Sequence, residues 1–220
     1  MVPLANKVLL PFKFFTTLVH EGSHALAALV LGGSVEQIVI NPDASGFTRF
    51  SASDSVWVQG IIATAGYMGS SLFGGILIVL ATFDKLSKAL LLLLGILIGA
   101  TVVLYLRDIF SLVVCIAFVI ALVWIAVKGG GSLNYFVVNL LAVQCSLNAI
   151  GDVLGLAMIS AGAPKSGYSL EVSDADVMSK LFLLPAMAWS ILWIVLSISI
   201  LIYALKLSAS IRAGESKAGS

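Results

Sequence analysis

The sequence predicts an all-α polytopic membrane protein of about six transmembrane helices, with a membrane-associated β-hairpin after the first. Composition is the first reason. Of 220 residues, 60% are hydrophobic and 10% charged, whereas a soluble domain carries about 25% charged residues. The second reason is distribution: the apolar residues gather into runs of the roughly 20 residues that span a bilayer core. The third is the polar stretch 32–55, which alternates like paired strands instead of continuing a helix.

The runs lie near 8–31, 56–82, 86–106, 109–127, 134–160 and 182–205, and together they make one integral-membrane domain, 1–205. Residues 206–220 read as a disordered tail. The first run does not read as a removable signal peptide, because it is too long, lacks a cleavage site and holds both histidines of the chain. Only Arg107 and Asp108 separate the third run from the fourth.

Six spans put both termini on one side. That side then carries Lys7, Lys13, Lys85, Lys88, Lys128, Lys206, Arg212 and Lys217, against Arg49, Arg107, Lys165 and Lys180 opposite. The positive-inside rule predicts cytoplasmic termini. A net charge of +1 gives no electrostatic case for binding nucleic acid. The expected surroundings are a lipid bilayer, and the sequence says nothing of oligomeric state.

After the first span, "LGG" is a helix stop. "SVEQIVI" then alternates with β-branched residues, "NPDASG" has turn chemistry and "FTRF" alternates again, predicting a hairpin over 34–50. In the second span Gly66, Ser70 and Gly74 share a face, and Gly95 with Gly99 repeats the spacing in the third; both read as close helix packing. Cys115 and Cys145 sit in apolar runs and read as small core residues.

Chemistry concentrates in "HEGSH", residues 20–24. His20 and His24 are four apart, one turn apart on one helix face, with Glu21 about 100° round from His20. This is the H-E-x-x-H arrangement in which two imidazoles hold zinc beside a non-ligating glutamate. An ionisable side chain within a span costs about 2.5 kcal/mol or more, which a bound cation offsets. A catalytic zinc takes three protein ligands and an open position, so a third ligand is needed for the one Zn2+ expected.

The acids near the spans are Asp84, Asp108, Asp152, Asp174 and Asp176. Asp84 and Asp108 stand beside basic residues at span ends, as solvated ion pairs would. Asp174 and Asp176, in "EVSDADVMSK", read as the cap and first turn of the last helix. Asp152 lies inside the fifth span with no cation nearby in sequence and is the expected ligand, the alternative being a carboxyl hydrogen-bonded to another helix. Asn148, four residues earlier, suits either orientation of Asp152, a hydrogen bond to bound peptide, or helix–helix contact.

With "HEGSH" in an early helix, "LGGSVEQIVINPDASG" after it, a Gly-rich second span and a later "NAIGD", the chain resembles the site-2 protease family, and within it the small branch of membrane zinc metallopeptidases. The resemblance covers most of the chain and is most specific at 16–48. It departs from the familiar pattern in the reduced context of the later aspartate, where the proline is missing, and in Ser23. The resemblance implies zinc on His20, His24 and Asp152, with Glu21 as catalytic base and Asn148 as the asparagine accompanying the aspartate. It implies hydrolysis of peptide bonds in or near transmembrane segments that form weak helices. Val35, Ile38 and Ile40, on the first strand of the hairpin, are expected to bind the unwound substrate. Other classes that fit the residues are a catalytically inactive scaffold of the same fold and a small ion or metal transporter.

Overall fold

The computed structural model describes residues 4–160 and 173–218, with side chains described for 10–147 and 173–214. Helix α1, Leu4–Val30, ends where Gly32 takes φ +82, a left-handed conformation that glycine adopts without strain. Strands β1, Ser34–Ile40, and β2, Gly46–Ser51, pair antiparallel with Val39 opposite Phe47 and Ile38 opposite Thr48. The expected hairpin is present, and its turn closes through Asn41 and Ser45. Long helices α2, Val56–Leu80, α3, Ser87–Tyr105, α4, Ile109–Lys128, and α5, Gly130–Ser160, follow. The chain then forms a short helix α6, Asp174–Leu181, and a final long helix α7, Ala186–Ala218.

Four helices among the described residues are long and apolar enough to cross a membrane: α2, α3 with the turn before it, α4 and α7 to Gly214. Helices α1 and α5 have the length, at about 1.5 Å per residue, but fall outside that set. The polar run His20–His24 dilutes α1, and the side chains of α5 from 148 to 160 lie outside the described residues. The protein is thus mostly helical, with four candidate spans and a two-stranded sheet.

Three expectations need correction. Residues 206–218 continue α7 instead of forming a disordered tail, since "KLSASIRAGESKA" holds no proline and its single glycine, Gly214, is tolerated within a helix. The acids of "SDAD" do not open the last long helix: they open α6, which ends at Leu181, before Pro185 and the start of α7. Arg107 and Asp108 are not solvated ion-pair partners. Arg107 donates to the carbonyls of Leu104 and Leu106 at the end of α3, and Asp108 accepts the Ser111 N–H as N-cap of α4.

Helix α2 is the hub. In its most apolar stretch 56% is buried in protein, against 22% in α4 and α7, so the latter present most of their surface to lipid. Small residues let the neighbours in, because a side chain at Gly74 would overlap Ser146 and the Ala142 carbonyl on α5. The small-residue stripe is packing there, as its spacing predicts. Cys115 and Cys145 are buried core residues, as expected. The hairpin is fastened to α1 by Thr17, whose hydroxyl donates to the Ala44 carbonyl at 2.7 Å, and is packed closely at Gly33, where a Cβ would fall on the carbonyls of Ser51 and Ala28.

That approach leaves no room for a methyl group. Gly33→Ala should cost on the order of 1–3 kcal/mol and lower the unfolding midpoint in detergent, while Gly99→Ala, which meets nothing within 4 Å, should not. Thermal unfolding of the two variants against wild type checks the contrast; equal midpoints would contradict it.

Candidate metal centre

One turn of α1 carries the site. His20 and His24 stack on the face that α2 covers, and their ring centroids are 4.8 Å apart. The α2 residue against them is Gly66, where any side chain would overlap Nε2 of both rings. Gly66 therefore does more than let helices approach: it clears the volume in front of the two nitrogens. On the other side of His20, Tyr67 meets its ring edge-on at 4.8 Å.

The ring of His24 is oriented by α2. Its Nδ1 lies 2.7 Å from the Ile62 carbonyl, and a carbonyl can only accept, so Nδ1 carries the proton. In the neutral ring Nε2 then presents a lone pair, the state a metal requires. His24 Nε2 and His20 Nε2 are 3.1 Å apart.

The third group comes from α6. Asp174 Oδ2 is 3.1 Å from His20 Nε2 and 3.3 Å from His24 Nε2. Helix α6 is fastened to α2 and α7 by a small second core of Ala63, Tyr67, Ala175, Met178 and Trp193. Burial alone would raise the Asp174 carboxyl, but when the His24 ring carries a second proton in place of a metal, its charge and the hydrogen bonds of both rings outweigh burial and hold the group well below the usual carboxylate range.

Asp174 was legible in part. Ser173 and Asp176 form the capping box of α6, each side chain bonding the other's backbone N–H. That pairing relieves Asp174 of any capping duty, which an S-x-x-D reading of "SDAD" could have shown. Assigning both acids to the cap hid the one that is not used there. Asp152 and Asn148 lie on α5, and their side chains fall outside the described residues. Among the described residues, His20, His24 and Asp174 are the group of three able to hold a metal ion.

The donor set fits zinc. A carboxylate oxygen and a His24 Nε2 lone pair face each other across about 3 Å, and protons satisfy that arrangement only by charging a ring or neutralising the carboxyl. A divalent cation among the three atoms satisfies all of them, and two imidazoles with one carboxylate are a ligand set zinc takes. Gly66 supplies the cradle that a Cβ would fill.

Glu21 lies on the neighbouring face of α1, 6% exposed, near enough to His20, His24 and Asp174 to feel their charges. The hydroxyl of Thr48, on β2, lies 2.8 Å from Glu21 Oε2 and 2.9 Å from the Glu21 carbonyl. The expected substrate-binding residues sit elsewhere. Ile38 and Ile40 are 1% exposed in the main core and Val35 packs against it. The outer edge of β1 is also taken, for Ile38 bridges Leu106 and the Ile40 N–H donates to Ser111 Oγ. Alternation turned these β-branched side chains inward, so they build the hairpin's seat.

A model of the Peptidase M50B-like family matches residues 1–204. No curated protein and no solved structure matches the chain.

Purified protein should carry about one zinc per chain, as a single three-ligand site predicts. Asp174→Ala and Gly66→Ala should each weaken zinc binding by about tenfold or more, while Glu21→Gln keeps the metal. Metal analysis after dialysis against graded chelator reads the outcome. Loss of zinc in Asp152→Ala with retention in Asp174→Ala would return the third position to α5.

Proposed function

Because the chain belongs to the Peptidase M50B-like family, whose model spans residues 1–204, we propose that it is an intramembrane zinc endopeptidase acting on membrane proteins. The observation that carries the reading is the convergence of His20, His24 and Asp174 to within 3.3 Å of one another, one residue from a buried glutamate. In this proposal the three residues hold the metal. Zinc, when bound, lowers the pKa of water towards about 7 and polarises the scissile carbonyl.

The rest falls to the chain's own groups. Glu21 takes the proton of the attacking water and passes it to the departing amine. The ligand side chains retain some exposure, 15% for His20 and 19% for Asp174, which suits a site that water must reach inside an apolar bundle. Asp152 and Asn148, on α5, are proposed to line the same region, with Asn148 donating to bound peptide.

A transmembrane helix hides its carbonyls in its own hydrogen bonds, so the substrate segment must unwind before it is cut. Segments that form weak helices are then the substrate class. An unwound segment needs a main-chain partner, and strand addition supplies one. With β1 occupied on both edges, the edge proposed for that pairing is the outer one of β2, residues 46–51. Termini on the cytoplasmic side remain part of this reading, on the charge distribution above.

The test is a single-span reporter protein with an Asn-Pro break in its transmembrane segment, co-reconstituted with the protein in liposomes. Wild type should cleave it, chelator should stop cleavage, and Glu21→Gln should abolish it with zinc retained. Cleavage by Glu21→Gln at the wild-type rate overturns the mechanism. A zinc-loaded wild type that leaves the reporter intact instead assigns the chain to the scaffold class, and metal-independent ion flux assigns it to transport.

A further inference from the structure

We infer that Thr48, on the returning strand of the hairpin, is the positioning residue of the Glu21 carboxylate. The inference rests on the reading of Glu21 as general base.

The geometry is a clamp. A carboxylate on a helix has free torsions along its stem, and as a base it must present one oxygen at a fixed place. Thr48 Oγ1 stands 2.8 Å from Glu21 Oε2 and 2.9 Å from the carbonyl of the same residue. Its one hydroxyl proton is thus shared between the side chain and main chain of Glu21, tying the rotamer to the helix backbone. Gly46, two residues earlier on the same strand, closes the other side. A Cβ there would press on Glu21 Cγ and Thr17 Cγ2, so the strand lies directly on the stem of the glutamate. A buried carboxylate deprived of its hydrogen bond costs more than the bond itself contributes, and Glu21 is buried.

Thr48 reaches α1 because β2 turns alternate residues to opposite faces. The contact differs from the other hydroxyl bond fixing the hairpin. Thr17 donates to the Ala44 carbonyl and holds the turn without touching the carboxylate. The two can therefore be separated: one anchors the hairpin, the other orients the base.

Three variants separate them. Thr48→Val keeps the shape and removes the donor, Thr48→Ser keeps the donor, and Thr17→Val loosens the turn alone. Zinc-loaded proteins with 13C-labelled glutamate are compared by infrared spectroscopy, the difference from Glu21→Gln isolating the Glu21 carboxyl band. The band should shift in Thr48→Val and stay in place in Thr48→Ser and Thr17→Val. On the Asn-Pro reporter in liposomes, Thr48→Val should lower kcat by about 10–100-fold, the range of lost orienting partners, with KM little changed. Thr48→Ser should restore kcat, and Thr17→Val should keep it. An unshifted band with wild-type kcat in Thr48→Val overturns the inference, as does an equal loss of kcat in Thr17→Val. If wild type itself leaves the reporter intact, the protease reading fails, and the band shift alone decides whether Thr48 holds Glu21.

Discussion

Three lone-pair donors pointing at one another inside a hydrocarbon-rich bundle are an unstable arrangement on their own. A carboxylate oxygen about 3 Å from two imidazole nitrogens, with one ring already committed through Nδ1 to a carbonyl, has too few protons to share. Either further protons or a cation must stand among them, and the donor set is one that a cation suits. Gly66 gives up its side chain there, Ile62 gives a backbone carbonyl to orient a ring, and an eight-residue helix exists in the right place to deliver Asp174. Each feature is costly or neutral for packing alone. Together they are what a cation in a membrane requires.

Helix α2 makes the arrangement possible because small residues on its different faces let three neighbours in. Gly66 faces the imidazoles of α1, Gly74 meets α5 backbone, and Gly60 lies against Phe182, just past α6. A larger residue at Gly66 would collide with the two imidazoles themselves, and one at Gly60 or Gly74 would crowd the elements packed beside them. Ring stacking adds rigidity where glycine cannot: Tyr67 stacks on Trp193 of α7 at 4.9 Å and meets His20 with its edge. Spacing of small residues on a helix therefore encodes two things at once, close approach and an empty volume, and only the first is visible as a pattern.

That distinction explains how much could be read in advance. The H-E-x-x-H turn, the hairpin and the long helices follow from local chemistry, in which period, turn residues and helix stops act within a few positions. Asp174 is 150 residues from His24, and only the packing of α6 on α2 and α7 brings it in. In sequence it competes with a cap signal that its neighbours in fact satisfy. Thr48 reads as one more alternating residue in "FTRF", and its role depends on which face of β2 meets α1. The β-branched residues of β1 invite the opposite error. Alternation identifies a strand but not which of its edges is already filled, and Leu106 and Ser111, some 70 residues on, fill this one.

The proposed function would give the hairpin two uses. The strand whose hydroxyl holds the Glu21 carboxylate is also the strand with an open edge. A substrate segment paired along β2 would run past Thr48, one strand spacing of about 4.8 Å away, so main-chain register would govern which peptide bond comes nearest the base. Side chains of the substrate contribute little to such a register, because strand pairing reads backbone. A slip of one residue reverses the face every group presents, which carries the scissile carbonyl away from the base even when the same segment is bound. Under the proposed function, selection would fall on the ease of unwinding and on the pairing register, and the residue nearest both the paired strand and the base would be the one already bonded to Glu21.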